Sequence, residues 1–204
     1  MAATIEYEVP TWNQIYEMML SQTQKIQSQN YKPDIIIAIA KGGLVPARTL
    51  TDLLEIQELG YIHIEFYKDI NKTRQEPTLK QNLTIQVLGK KTLLVDDIAD
   101  TGRSLNLAKT YLQQQGACQI KTATLYKKPQ SSTTPDFYEK QTASWVVFPW
   151  DTKETLRKII QRQHGKRRLN HEVPKLVKAG LPKQLAEKLL KAMKVGTKNA
   201  KVHT

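Results

Sequence analysis

Apolar residues fall along this chain in short unbroken runs separated by stretches of helical spacing, and that alternation predicts an α/β fold. Asp34 to Ala40 reads Asp-Ile-Ile-Ile-Ala-Ile-Ala, a β-branched run of the kind buried on both faces of a parallel sheet. Pro33 punctuates its start and Gly42-Gly43 its end. Leu44 to Leu54 then places Leu50, Leu53 and Leu54 at helical spacing, and Tyr61 to Tyr67 sets Ile62, Ile64 and Phe66 on one face of a second strand. Thr92 to Val95 is a third buried strand ending in Asp96-Asp97, and Ser104 to Gln115 is a helix stopped by Gly116. Ile120 to Tyr126 and Trp145 to Phe148 supply further strands. Lys68 to Asn82, by contrast, is polar, aperiodic and broken by Pro77. It is expected to be a long loop, of the length that usually serves as a lid. Strands alternating with helices across short turns imply a mainly parallel twisted sheet flanked by helices.

The pattern changes after Asp151. Asp151 and Glu154 stand at capping-box spacing ahead of Leu156, Ile159 and Ile160, so a helix is expected from about Thr152. A basic break follows at His164 to Arg168. From Val173 to Met193, Leu176, Val177, Leu181, Leu185, Leu189 and Met193 recur mostly at three- and four-residue steps, divided by Gly180 and Pro182 into two short helices. The expected organisation is an α/β domain over residues 1–151, a small all-helical appendage over 152–195 and an unstructured tail over 196–204.

Charge sharpens this division. The chain has 204 residues with 31 Lys+Arg against 19 Asp+Glu, a formal charge of +12. From Thr152 onward there are 15 basic residues and three acids, which leaves 16 of each in residues 1–151. The excess therefore belongs to the appendage, and the neutral body weakens the inference from a high isoelectric point to nucleic acid. A hydrophobic content of 40% excludes a disordered chain. The lone Cys118 cannot form an internal disulfide, and the acidic N-terminal segment lacks the apolar centre of a signal peptide. No apolar run approaches the ~20 residues of a membrane span. These features predict a soluble cytoplasmic protein with no membrane partner.

The chemistry is concentrated in Leu93-Leu-Val-Asp96-Asp97-Ile98-Ala99-Asp100-Thr101-Gly102-Arg103-Ser104. A buried strand delivers two adjacent carboxylates to its C-terminal end, where open α/β sheets bind ligands. A third carboxylate, small hydroxyl residues and a glycine then open a helix, whose free N–H groups and dipole favour a phosphate. Carboxylates beside an anion site have separate work to do, holding sugar hydroxyls or a Mg2+ ion shared with phosphate oxygens.

That string resembles the type I phosphoribosyltransferase family, in which the Asp-Asp-x-x-x-Thr-Gly segment binds the ribose 5-phosphate of phosphoribosyl pyrophosphate (PRPP). The resemblance implies a PRPP site over Asp96, Asp97, Ile98, Ala99, Asp100, Thr101, Gly102, Arg103 and Ser104, with Mg2+ as cofactor held by Asp96 and Asp97, directly or through water. Asp100 matches the carboxylate that faces purine N7 and is expected to act as general base, with N-capping of the following helix as its structural alternative. Ala40-Lys41-Gly42-Gly43 resembles the pyrophosphate loop, whose peptide at the lysine is often cis. Lys68 to Asn82 sits where the family has its catalytic lid.

Lys127-Lys128-Pro129 and Trp145-Val146-Val147-Phe148-Pro149-Trp150-Asp151 resemble the base-binding region of the hypoxanthine and xanthine-guanine branch. In that branch a lysine before proline donates to the purine 6-oxo group, which favours Lys128 over Lys127. An aromatic matching Trp145 stacks on the base and the backbone at Val146 reads its 2-position; Trp150 is left as a packing residue. Asp151 is either a further metal contact or part of the capping box. The implied partners are PRPP, a purine base, pyrophosphate and the purine nucleoside monophosphate, with a homodimer or homotetramer as the expected assembly.

Two other readings stay open. The helical tail resembles that of archaeal purine phosphoribosyltransferases, some of which use adenine. A regulator that binds nucleic acid and keeps this fold as a PRPP or nucleotide sensor would also carry a basic appendage, although such a sensor could dispense with Asp100, Lys41 and the lid. Nucleic acid is not the expected partner.

Overall fold

The isoleucine run forms the strand expected of it: β2 (Ile35–Ala40) is buried at all six positions. The structure is a computed structural model and describes residues 5–67, 76–83, 85–161 and 165–199. The chain divides into two compact units, residues 15–142 and residues 1–14 with 143–204.

In the first unit β2 pairs in parallel with β3 (Glu58–Tyr67) and with β5 (Lys91–Ala99). Parallel pairing continues from β5 to β6 (Gln119–Lys127) and from β6 to β7 (Phe137–Gln141). β4 (Glu76–Gln81) closes the other edge antiparallel to β3, so the sheet order is β4-β3-β2-β5-β6-β7. Helix α2 (Leu44–Leu53) connects β2 to β3, and α3 (Arg103–Gln114) connects β5 to β6. Leu105, Ala108 and Leu112 of α3 pack in one cluster with Ile35, Ile37, Ile39, Ile62 and Leu94. Side chains alternate along a strand, so Ile36 and Ala38 turn to the opposite face, where they too are buried. Both faces of the sheet are therefore covered, as the fold class requires.

The strand order places the site. From β2 the chain moves outward through α2 in one direction, and from β5 outward through α3 in the other. The order reverses between β2 and β5, and in open α/β sheets ligands occupy the crevice at the carboxyl ends of the strands flanking that reversal.

Two strands of this sheet differ from expectation. β5 runs on to Ala99, because its ladder with β6 continues through Ile98 opposite Tyr126 and Ala99 opposite Lys127. Asp96 and Asp97 thus sit within the strand, with Asp96 paired opposite Thr124. Residues 76–81 of the expected loop form β4, an edge strand whose positions alternate between exposed and half-buried. An edge strand accepts Pro77, whose missing N–H breaks a ladder only in a sheet interior. Residues 68–75, the rest of the expected lid, lie outside the described residues. The sequence pattern also left β1 (Tyr7–Glu8), β7 and α1 (Trp12–Ser28) unassigned. The buried face of α1 includes Gln22 and Thr23 beside Ile15, Met19 and Ile26, and Gln22 Nε2 donates to the Thr124 carbonyl at 2.8 Å.

In the second unit β1 (Tyr7–Glu8) pairs in parallel with β8 (Trp145–Val146). The apolar run to Phe148 is strand for only its first two residues because its partner is two residues long. Three helices follow, α4 (Thr152–Gln161), α5 (Gly165–Lys178) and α6 (Lys183–Asn199). Val147, Leu156, Ile159, Leu176, Leu181 and Ala186 form their core, with Tyr7, Val9, Trp145, Leu189 and Met193 packed against it. The helical spacing read from the tail thus corresponds to a real apolar face. α5 begins inside the expected break, and α6 reaches Asn199, into the stretch expected to be unstructured. Trp150 stacks on Phe148 with ring centroids 4.7 Å apart and also meets Trp12 at 5.7 Å, a packing role. No helix among the described residues is long and apolar enough to cross a membrane.

Candidate active site

A cleft of about 190 Å³ opens at the C-terminal end of β5, lined by Phe66, Asp96 to Gly102, Ser104 and Leu105. Asp96 and Asp97 are half-buried and the Asp97 N–H donates to Asp96 Oδ1 at 2.9 Å. Burial holds the Asp96 carboxyl well above the usual carboxylate range and the neighbouring Asp97 charge pushes it further, while that N–H works the other way. Gly102 then turns the chain at φ +78°, the left-handed region that glycine enters without a Cβ penalty. It caps α3, and the side chain that reaches the helix start is Thr101, whose Oγ1 accepts from the Arg103 N–H at 3.5 Å. Capping is therefore not the work of Asp100, which is exposed and whose Oδ1 accepts from Gln130 Nε2 at 3.1 Å. Thr101, Arg103 and Ser104 surround the helix start, where the first-turn N–H groups have no intrahelical acceptor and suit an anion. Ile98 and Ala99 form the end of β5.

The Ala40 to Gly43 loop leaves β2, the strand beside β5, so it stands at the same end of the sheet. Its Ala40–Lys41 peptide is cis. Gly43 N–H donates to the Ile39 carbonyl at 2.9 Å, and the exposed Lys41 stands at the turn. Gly42 lies so close to Asp97 that a Cβ there would collide with its carboxylate. The two segments singled out in the sequence thus meet directly.

The remaining candidates divide between the units. Lys128 follows the end of β6; it is buried and its N–H donates to the Ala99 carbonyl at 2.9 Å. Lys127, its rival, holds Nζ 5.9 Å from the centre of the Tyr138 ring. Trp145, Val146 and Asp151 belong to the second unit. Trp145 is half-buried with its ring 6.2 Å from that of Tyr7, Val146 is buried, and the Asp151 carbonyl accepts from Thr155 N–H in the first turn of α4. Among the described residues no three His, Cys, Asp or Glu gather to hold a metal by themselves. The Asp96–Asp97 pair still fits Mg2+, which typically takes one or two carboxylates and completes its shell with water and substrate phosphates.

Two residues at the site lie outside the candidates that the sequence motifs supply, Phe66 and Gln130. Phe66 shares a strand face with Ile62 and Ile64, which are buried, yet it is 42% exposed and walls the cleft. Its place at the C-terminal end of a strand next to β2 was the available clue. Gln130 sits in a loop without periodicity and is found only through its contact with Asp100.

The comparisons agree with this geometry. The phosphoribosyl transferase domain model matches residues 12–155. A curated xanthine-guanine phosphoribosyltransferase of Nitratidesulfovibrio vulgaris is 32% identical over 146 residues, covering 70% of this chain and 83% of the relative. The crystal structure of a purine phosphoribosyltransferase from Pyrococcus horikoshii superposes with TM-score 0.65 at 34% identity, covering 72% of this chain and 94% of that one. A xanthine-guanine-hypoxanthine phosphoribosyltransferase of Helicobacter pylori, at 19% identity and TM-score 0.61 over 75% of this chain and 99% of its own, shares the fold. A reversed strand order with an anion-ready helix start beside paired carboxylates, in a chain matched over these lengths, makes this protein a member of the phosphoribosyltransferase family.

Proposed function

We propose that this phosphoribosyltransferase moves the 5-phosphoribosyl group of PRPP onto a nitrogen of a 6-oxopurine, hypoxanthine, guanine or xanthine. The products are the nucleoside 5′-monophosphate and pyrophosphate, and the enzyme works in the cytoplasm as a homodimer or homotetramer. The observation that carries the reading is the left-handed turn at Gly102, which opens α3 beside Asp96 and Asp97 at the reversal of strand order. The buried Lys128 at the end of β6 supports a 6-oxo group as its acceptor, as do relatives named for xanthine and guanine.

As the purine nitrogen bonds to the anomeric carbon and the bond to the diphosphate breaks, positive charge grows on the ribose and negative charge on the leaving group. The first-turn amides of α3, with the Thr101 and Ser104 hydroxyls, hold the 5-phosphate. Asp96 and Asp97 orient the ribose hydroxyls, and the Lys41 loop receives the diphosphate. The same two aspartates would hold Mg2+, which when bound neutralises the leaving diphosphate. Asp100 accepts the proton that the base releases. For Trp145 and Val146 we keep the base-contacting roles that the resemblance implies, whereas Asp151 is assigned to the start of α4.

The test is to incubate the protein with PRPP, Mg2+ and each of hypoxanthine, guanine, xanthine and adenine, following nucleotide and pyrophosphate release. Turnover with 6-oxopurines is expected. Turnover with adenine alone would overturn the base assignment, and no pyrophosphate with any base would overturn the reading as a whole.

A further inference from the structure

The loop that follows β6 closes over the segment that carries Asp100. Residues 128–133, Lys-Pro-Gln-Ser-Ser-Thr, leave β6 and fold back on residues 99–102. Lys128 N–H donates to the Ala99 carbonyl at 2.9 Å, and the Thr101 carbonyl accepts from both the Ser132 N–H at 3.2 Å and the Ser132 Oγ at 2.9 Å. Within the loop Ser131 N–H donates to the Lys128 carbonyl at 3.0 Å, and Ser131 Oγ donates to the Thr133 carbonyl at 2.8 Å. Gln130 is therefore carried on a backbone fixed on both sides, and its Nε2 lies 3.1 Å from Asp100 Oδ1. An ionised carboxylate only accepts, so the NH2 end of the carboxamide must face it.

We propose that Gln130 is a positioning residue for the Asp100 carboxylate, and that the Ser131–Ser132 anchors hold Gln130 in place for that work. This rests on the reading of Asp100 as the proton acceptor. An exposed aspartate samples several side-chain rotamers, and an acceptor is effective only in the one that faces the departing proton. A donor fixed on one carboxylate oxygen selects that rotamer and leaves the second oxygen for the purine. The anchors of the loop are all contacts within the protein, so much of the ordering cost falls on folding rather than on the reaction. The same segment begins with Lys128, so the proposed donor to the base and the support of the proton acceptor share one short stretch of chain.

The experiment compares Gln130→Met, which keeps the length without the donor, and Gln130→Glu, which keeps the shape but sets a second carboxylate against Asp100. Each is made in the full chain and in the Asp100→Asn background, and assayed with PRPP, Mg2+ and the purine that turns over fastest. Thermal melts run alongside. Gln130→Met is expected to lower kcat about 10-fold with KM for PRPP and base within about 2-fold. Gln130→Glu is expected to lower kcat further through like-charge repulsion. In the Asp100→Asn background, itself down roughly 100- to 10,000-fold, neither change should cost more. Unchanged kcat in Gln130→Met overturns the proposal, as does an equal loss in the Asp100→Asn background or a loss that appears in KM and melting temperature alone. Wild-type kcat in Asp100→Asn overturns the reading of Asp100 itself, an outcome distinct from the others.

Discussion

A methyl group added at position 42 meets a side chain, and one added at position 43 meets backbone. At Gly42 the nearest atoms are those of the Asp97 carboxylate, the free end of a short side chain. At Gly43 they are the Val95 carbonyl and, at 2.8 Å, the Ile39 carbonyl, belonging to the two central strands. A side chain swings aside at low cost, whereas a closely packed backbone does not. Gly42→Ala is therefore expected to leave stability within about 0.5 kcal/mol of the wild type. It should still lower kcat/KM about 10- to 100-fold, because it displaces the Asp97 carboxylate that we propose orients the ribose hydroxyls. Gly43→Ala is expected to cost about 2 kcal/mol of stability. Denaturant melts and steady-state rates on both variants check the contrast, and equal stability losses would refute it. The sequence treated the two glycines alike, as parts of one diphosphate loop. Their division of labour depends on which atoms of β5 lie opposite, and no local pattern encodes that.

At the scale of elements, the fastening of α5 to β1 is electrostatic as well as apolar. Glu172 on α5 is 4% exposed, accepts from Tyr7 Oη at 2.8 Å, and has His171 Nδ1 at 3.2 Å and Lys175 Nζ at 3.6 Å. Burial alone would raise its carboxyl, but the hydrogen bonds from Tyr7 and His171 and the charges of Lys175 and His171 outweigh it, so the folded value lies below the ordinary 4.5. The folded state then binds this proton less readily than the unfolded chain. The stabilisation is complete above the unfolded value and is lost as pH falls through the lowered folded one. Tyr7→Phe is expected to cost about 2 kcal/mol at pH 7, since it leaves a buried charge short of a donor. It should also flatten the decline in melting temperature below about pH 4.5, because the folded value moves back toward the unfolded one. Parallel acid slopes in the two proteins would refute this assignment. Elements were legible where burial is complete and chemically uniform. β2 and the Leu93 to Val95 stretch of β5 are all-apolar runs, and the leucines of α5 and α6 recur at helical spacing. Legibility failed where tertiary partners supply the logic: β4 is a strand only because β3 offers an edge, and α1 buries Gln22 because a carbonyl of β6 receives it. The candidate site followed the same rule. Asp96 to Ser104 announced itself as one continuous string, while Phe66 reaches the cleft and Gln130 reaches Asp100 from elsewhere in the chain.

For the whole molecule, the question is what a net charge of +12 carried by residues 152–204 does for an enzyme of anionic substrates. Cutting the chain after Asp151 is no clean test. The helices share one core with Tyr7, Val9, Trp145 and Val147, and their removal would strip the cover from those residues. A charge test must keep the chain intact. Lys178, Lys183, Lys188 and Lys191 are exposed on α5 and α6, so their replacement by glutamine removes field without removing core. Surface charges act on a distant anion through the solvent and are screened over about 8 Å at physiological ionic strength. If the field gathers PRPP, the fourfold variant should show KM for PRPP raised about 2- to 5-fold in low salt, kcat unchanged and melting temperature nearly so. The difference from the wild type should vanish by about 0.5 M salt, where screening falls to a few ångströms. A KM equal to the wild type at every salt concentration would assign the lysines to solvation of the helices, and the catalytic cycle would then run on the neutral part of the chain alone.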